Sequence, residues 1–440
     1  MKRGARATIE SIFVEHLFGF LTYEISATCQ DGLIILYGDN GSGKTTILNL
    51  VFHALAPEDA SGHRTFLSQV PFKRFAIDFA DGHRVSVTRT NASTGPFTMA
   101  IRRRDGAEAS HTFTLTRDGR VRDQDDSTYR PLLQELAELD LGLFLLPDNR
   151  RIQSTLYEEE AEPTLWHSQA LQIFRSATSS EEALFESSKP QPIDLFVDQA
   201  LRRATNWTRN QALTASSQGE TDTNKIYAEI LRRIAGPARS TRSPERMRFA
   251  ELLAKAETLG RRSTDFSRFG LVTPLPIRDL LPILQDASPS KKGVITQVLS
   301  PYIRSFEARL EALEELRQAL DTFSGIFSRF YNFKRLTFHL TSGIRIDLNH
   351  DASKIPPAVL SSGEKQLLLL FCNVLLARSR PSVFIIDEPE LSLNIKWQRE
   401  LIASLMSCVK GCDVQFLFAT HSLEIISRHK AIAVRLQNRG

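Results

Sequence analysis

Residues 38–46, GDNGSGKTT, constrain this chain more than any other stretch. They follow a short apolar run, LIILY (33–37), and precede ILNLVFHAL, whose apolar spacing predicts a helix. The pattern is the phosphate loop GxxxxGK[ST] in the strand–loop–helix setting that its chemistry needs. Gly38, Gly41 and Gly43 let the backbone curl so that successive N–H groups point at phosphate oxygens. The helix beginning near Lys44 adds the positive end of its dipole. Asn40, Gly41, Ser42, Gly43, Lys44, Thr45 and Thr46 are therefore expected to bind the phosphates of a nucleotide, with Lys44 on the β- and γ-phosphates and the Thr45 hydroxyl on Mg²⁺. An inconsequential Gly-rich turn is the plainer alternative, and it leaves the full pattern unexplained.

A second element lies far downstream. SVFII (382–386) is a continuous apolar run, typical of a strand buried on both faces, and it ends in Asp387 and Glu388. Carboxylates at the C-terminal end of a parallel strand sit where ligands bind in open α/β sheets. Asp387 is expected to hold Mg²⁺ and Glu388 to polarise the attacking water as general base. VQFLFATHS (414–422) reads as another buried strand, ending in Thr420 and His421. His421, which follows the Asp–Glu strand, is a candidate catalytic contact to the γ-phosphate. Between the two halves, LSSGEKQ (360–366) opens an apolar helix. Ser361, Ser362, Gly363 and Glu364 there make either a second anion-binding helix end or an ordinary cap, with a serine as N-cap and Glu364 in the first turn.

Together these residues resemble the heads of ABC-type ATPases, with Walker A at 38–46, signature at 360–366, Walker B at 382–388 and a switch histidine at 421. The resemblance implies two heads sandwiching two ATPs, so that Ser361, Ser362, Gly363 and Glu364 act in trans and the working form is at least a homodimer. LSSGEKQ and EPELSLNIKWQ (388–398) are similar to the group that includes RecF, Rad50, SMC and the OLD (overcoming lysogenization defect) proteins. Transport ATPases usually carry a Gly and a Gln where Ser362 and Glu364 stand. Many OLD-like relatives have Leu-His-Pro where this chain has Leu393, Asn394 and Ile395, so no role for that histidine carries over.

The implied fold class is α/β: a split ABC-ATPase head of mixed and parallel sheet, with an antiparallel β subdomain and an inserted α-helical domain. Expected boundaries are 1–150 for the N-terminal part, 151–333 for the insertion and 334–440 for the C-terminal part. RFAIDFADGHRVSVTRT (74–90) predicts a hairpin turning at Asp81 and Gly82, and FTMAIRRRDG and HTFTLTRDG predict further strands. LGLFLLPDN (141–149) predicts a buried strand, after which Asp148 or Asn149 either stands in for the family's Mg²⁺-side glutamine or belongs to a plain turn. Prolines at ten positions from 163 to 301 divide the insertion into short segments. Its longest proline-free stretch, 193–236, spans at most roughly 66 Å as helix at ~1.5 Å per residue, and NWTRNQALTASSQGETDTN within it reads as a loop. Long Rad50- or SMC-like arms are thus not expected. The strongest helical stripe is Ile303, Phe306, Leu310, Leu313, Leu316, Leu320 and Phe323, packing either within the chain or on a neighbour.

Composition excludes several classes. Of 440 residues, 42% are hydrophobic and 24% charged, which is the globular range rather than the disordered one. No apolar run approaches the ~20 residues that cross a bilayer, and no secretory leader is visible, so a cytoplasmic location is expected. Four scattered cysteines give no CxxC pair and no zinc hook. A net charge of +4 does not announce nucleic acid. Arginine clusters at 102–104, 150/151, 232/233, 239–248 and 261/262 suit DNA or an acidic protein, or equally a solvated helix face. The layout is similar to the stand-alone ATPases of two-gene anti-phage systems, PARIS more than Septu. That implies an ATPase sensor or scaffold which holds a toxic nuclease effector from a neighbouring gene and answers a phage-encoded trigger. The sequence runs only 19 residues past His421, which leads to the same expectation of a separate effector. A RecF-like DNA-repair clamp is the alternative; the insertion and the signature count against a membrane transporter's energy subunit.

Overall fold

The computed structural model describes residues 8–26, 32–58, 62–90, 93–121, 129–147, 153–155, 192–235, 248–351 and 353–438. The chain forms two compact units, one of residues 1–189 with 377–440 and one of residues 190–376. The hairpin and helix that precede residue 377 pack with the helical residues, so this division runs past the expected boundary at 334; residues 156–191, near the expected boundary at 151, lie outside the described residues.

The first unit holds two six-stranded sheets. One is antiparallel, built from β1 (Ile9–Leu17), β2 (Leu21–Ser26), β4 (Arg74–Phe79), β5 (Arg84–Thr88), β6 (Phe97–Arg102) and β7 (Glu108–Phe113), in the order β2-β1-β4-β5-β6-β7. Its β4–β5 hairpin pairs Asp78 with Arg84 across the predicted Asp81–Gly82 turn. The other sheet contains β3 (Leu33–Tyr37), β8 (Gly142–Leu146), β9 (Gln153–Ser154), β12 (Ser382–Asp387), β13 (Val414–Ala419) and β14 (Ala433–Arg435), in the order β14-β3-β13-β12-β8-β9. All its pairings are parallel except β8–β9.

β8, β12 and β13 are buried at every residue, which is why their sequences run apolar without alternation. Phe144, Phe384 and Phe416 stand directly opposite one another on these three strands, with ring centroids 4.8 and 5.4 Å apart. A slip of one residue would send every ring to the opposite face, so the ladder fixes the register. That register sets Asp387 opposite Ala419. Between the sheets, the Gln415 side chain accepts from Ile9 N at 2.8 Å and donates to Ile9 O at 2.9 Å, which gives both polar atoms of a buried amide a partner. α1 (Lys44–Leu55) shares one apolar core with strands of both sheets. α2 (His63–Gln69), α3 (Arg130–Glu138), α9 (Ile395–Cys408) and α10 (Leu423–Arg428) are the other α-helices among the unit's described residues.

The second unit is mainly helical. It contains α4 (Pro192–Ala235), α5 (Phe249–Ser267), α6 (Ile277–Gln285), α7 (Pro289–Phe330), the hairpin β10 (Lys334–His339) and β11 (Gly343–Leu348), and α8 (Ser362–Leu376). Two expectations are corrected here. The segment read as a loop, residues 206–224, is part of the 44-residue α4. Proline also fails to divide α7, which runs through Pro301 for 42 residues. Pro192 and Pro289 sit at helix starts, where the missing N–H had no partner to lose. The stripe on α7 packs inside the chain: Ile303, Leu310, Leu313, Leu316 and Leu320 meet Leu252, Ala256, Leu259 and Phe266 of α5 and Phe338 of β10. No described helix is long and apolar enough to cross a membrane.

Candidate nucleotide site

The phosphate loop leaves the buried β3 and enters α1 at Lys44, as its sequence predicts. Asn40 and Gly41 are exposed at its crown, Thr45 is exposed on the first helical turn and Thr46 is half-buried behind it. Gly43 caps the helix at φ 84°, a left-handed conformation, and a Cβ there would lie 2.7 Å from the Leu17 side chain. Glycine is needed on both counts. The Ser42 hydroxyl is buried with no hydrogen-bond partner among the described residues, a polar atom that a phosphate oxygen would satisfy. Lys44 is buried, and its Nζ donates to Gly38 O at 3.0 Å and Asp39 O at 3.1 Å. Burial lowers its pKa, while Asp387, Glu388, Asp39 and Glu390 favour the charged form. The phosphate loop and the Walker B carboxylates therefore share one electrostatic site.

Parallel pairing explains the meeting. β3, β13 and β12 are neighbours, so their C-terminal ends lie along one edge with the N-terminus of α1. Asp387 is buried at the end of β12. Glu388 follows at φ 46°, an uncommon conformation for a non-glycine residue, and its N–H donates to Ala419 O at 2.8 Å. His421 Nε2 stands 3.9 Å from Glu388 Oε1, close but beyond hydrogen-bond length. The structure thus gathers Lys44, Asp387, Glu388 and His421.

One residue of this site was passed over in the sequence. Glu390 Oε1 accepts from Thr420 Oγ1 at 2.7 Å, His421 N at 2.7 Å and Ser422 N at 2.9 Å. A single carboxylate oxygen holds the turn that carries His421. Gln398 adds a second tie, accepting from Ser422 Oγ at 2.8 Å. The only signal in the sequence was a second acid two residues after Glu388.

Mg²⁺ fits the donor set. Among the described residues no three His, Cys, Asp or Glu side chains converge as a metal cage. Mg²⁺ is ordinarily bound through one or two carboxylates plus substrate phosphates, so Thr45 and Asp387 beside a phosphate loop are suitable holders. Asp148 and Asn149, the candidates after β8, lie outside the described residues.

In the second unit, Ser361 and Ser362 are exposed and Gly363 is buried at the start of α8. Ser361 N donates to Glu364 Oε2 at 2.8 Å, and Glu364 N donates to Ser361 Oγ at 3.4 Å, the reciprocal capping arrangement. Lys334 Nζ donates to both oxygens of Glu364, at 2.9 and 2.8 Å. Burial alone would raise the Glu364 pKa, but Lys334 and Ser361 outweigh it and hold the carboxyl below its ordinary value. The signature is therefore pre-shaped, with its serines on the surface and its acid engaged within the chain.

Several arginines are likewise engaged. Arg103 forks onto Glu135 at 2.5 Å, Arg261 pairs with Glu257 and Arg262 with Glu314. The side chains of Arg232 and Arg233, and residues 150, 151 and 239–247, lie outside the described residues.

A parallel sheet with a phosphate loop, paired carboxylates and a histidine on adjoining strand ends defines an ABC-type ATPase head. The chain belongs to the family described as "AAA domain, putative AbiEii toxin, Type IV TA system", whose profile matches residues 33–427. Over 72 residues it is 35% identical to the molybdenum import ATP-binding protein ModC of Pasteurella multocida, covering 16% of this chain and 20% of that one. Over 81 residues it is 36% identical to the lipoprotein-releasing system ATP-binding protein LolD of Cereibacter sphaeroides, covering 18% and 34%. The match thus spans only a fifth to a third of these curated relatives. Among solved structures, the Smc head domain of Pyrococcus furiosus, with extended coiled coil and bound to the C-terminal domain of ScpA, aligns over 95% of this chain and 91% of its own at 13% identity and TM-score 0.37. The Smc head of Pyrococcus yayanosii aligns over 95% and 93% at 14% identity and TM-score 0.37.

Proposed function

We propose that the protein binds ATP with Mg²⁺ at the edge of its parallel sheet and hydrolyses it, and that it does so as a sensor or scaffold in an anti-phage system, controlling a separate nuclease. The convergence of Lys44, Asp387, Glu388 and His421 on one sheet edge carries the first part. Lys44 Nζ exchanges its two backbone carbonyls for phosphate oxygens. Mg²⁺ held by Thr45 and Asp387 would offset phosphate charge. Glu388 takes a proton from the water that attacks the γ-phosphorus, ADP leaves, and His421 contacts the γ-phosphate. Two copies join so that Ser361, Ser362 and Gly363 of each face the nucleotide of the other, supported by the exposure of both serines. The defence role is supported by the toxin and toxin–antitoxin terms in the family's description and by the likeness to two-gene anti-phage ATPases.

Lys44→Ala should abolish nucleotide binding. Glu388→Gln should keep binding, lose hydrolysis by at least about 100-fold and accumulate ATP-bound oligomers. Normal turnover by Glu388→Gln would remove Glu388 from the chemistry. Co-purification with a nuclease encoded beside this gene tests the defence role. Tight DNA binding with a steep salt dependence, and no such partner, would replace it with a repair clamp.

A further inference from the structure

The second unit contains a pocket of about 370 Å³ between α4, the β10–β11 hairpin and residues 354–357, which lead through a short 3-10 turn (Pro357–Val359) to α8. Its walls carry Arg202, Arg209, Arg345 and Lys354 against a single acid, Asp198. With Asp347, which pairs with Arg345 behind the wall, the local balance is four cations to two acids, against 55 to 51 across the whole chain.

We propose that this pocket binds a phosphate-bearing ligand of about mononucleotide size. The cations are placed rather than merely present. Arg209 donates through Nε to Leu340 O at 2.9 Å and through Nη2 to Thr341 O at 2.7 Å, which fixes the plane of its guanidinium. Arg345 Nη2 donates to Asp347 Oδ1 at 3.2 Å, and Asp347 is itself buried and accepts from Thr337 Oγ1 at 2.8 Å. Anchored guanidinium forks lose little freedom when they grip an oxyanion. Arg345 Nε is buried with no hydrogen-bond partner among the described residues, a donor that an anion would answer. Arg202 and Lys354 are exposed at the rim, where charge attracts a ligand from solution. The volume falls at the small end of ligand pockets, roughly 300–1,000 Å³, which suits a nucleotide and not a duplex. The phosphate can come from a free nucleotide or from the 5′ end of a nucleic-acid strand.

The wall at Lys354, Ile355 and Pro357 continues through Leu360 into Ser361. A bound ligand would therefore stiffen the backbone that enters the signature.

The test uses the full chain carrying Lys44→Ala, which removes nucleotide binding at the phosphate loop, so the result does not depend on ATP hydrolysis. Calorimetric titrations would use adenosine and guanosine 5′-monophosphate, a 5′-phosphorylated hexanucleotide and the same hexanucleotide without its phosphate. Saturable binding of a phosphorylated probe is expected, weakened at least tenfold by Arg202→Gln with Lys354→Gln, two rim changes that leave the thermal midpoint in place. Binding of monophosphates identifies a free nucleotide as the source, and binding of the phosphorylated hexanucleotide alone identifies a strand end. Absence of saturable binding by every phosphorylated probe, or affinity that the double variant leaves within twofold, overturns the proposal.

Discussion

Glu390→Ala isolates the part of the site that holds His421. The substitution removes one acceptor oxygen that serves Thr420 Oγ1 and the N–H groups of His421 and Ser422. A hydrogen bond to a charged group is worth about 1.5–3 kcal/mol. The three share one oxygen and cannot each contribute fully, so the loss of order in the turn is about 3 kcal/mol in total. Felt in the transition state through His421, that corresponds to a fall in kcat of roughly 100-fold at about 1.4 kcal/mol per decade. Glu390→Gln keeps a neutral acceptor at the same place, and a neutral bond is about half as strong, so kcat should fall roughly 10-fold. Its amide nitrogen would replace Oε2, which makes no hydrogen bond among the described residues. Single-turnover hydrolysis, read beside nucleotide affinity and the thermal midpoint, gives the answer. Nucleotide affinity should stay within about threefold, because binding rests on the phosphate loop. If Glu390→Ala turns over within threefold of the parent, or if its loss follows affinity or global stability, the carboxylate does not position the histidine.

Gly43→Ala and Gly41→Ala place the same side chain at two left-handed positions, φ 84° and φ 80°, but only the first meets Leu17. Both should lose about 1–2 kcal/mol of stability for the backbone. Gly43→Ala should lose more in urea titrations because Leu17 is fully buried, and equal losses would show that Leu17 yields freely. Stability should also fall on mild acidification. Burial, with Arg64 alongside, pushes His53 down to about 3 and His63 down to about 4, and their Nδ1 atoms lie 2.8 Å apart. Both stay neutral in the fold while the unfolded chain takes up protons near pH 6.5, so their stabilising contribution is complete above that pH and is lost as pH drops toward their folded values. At pH 5.5 each costs about 1.4 kcal/mol. Denaturant midpoints at pH 7.5 and 5.5 should converge partly in His63→Asn, and an unchanged difference would refute the assignment.

The parallel-sheet strands and the phosphate loop were legible because their signals are local: unbroken apolar runs, a spaced glycine pattern and carboxylates at a strand end. The antiparallel strands announced themselves by alternation and by the Asp81–Gly82 turn. α4 was not legible, since residues 206–224 combine Asn, Thr, Ser and Gly, each a weak helix former. Packing of α4 on α7, and the cooperativity of a helix already begun, override those preferences. Pro301 misled in the same way: a proline inside a helix forfeits a backbone hydrogen bond and costs about 3 kcal/mol, and here it lies buried in a helix anchored by Ile303 and Leu310. Glu390 escaped for another reason. Its partners lie 30 to 32 positions away, and only the register of β12 against β13 brings them together.

The strand order β14-β3-β13-β12 also sets a schedule for biosynthesis. β3 (residues 33–37) leaves the ribosome before both strands that flank it, which follow at residues 414–419 and 433–435. At about 5–20 residues per second, roughly 20–75 s separate β3 from β13. During that interval both edges of β3 lack their sheet partners, while residues 190–376 emerge whole and form a compact unit of their own. The phosphate loop cannot be framed by its sheet until β13 and β14 have been translated. Any interrupted nascent chain that stops short of β13 would carry the nucleotide-binding sequence without the site, and would present an apolar strand to the quality-control machinery in its place.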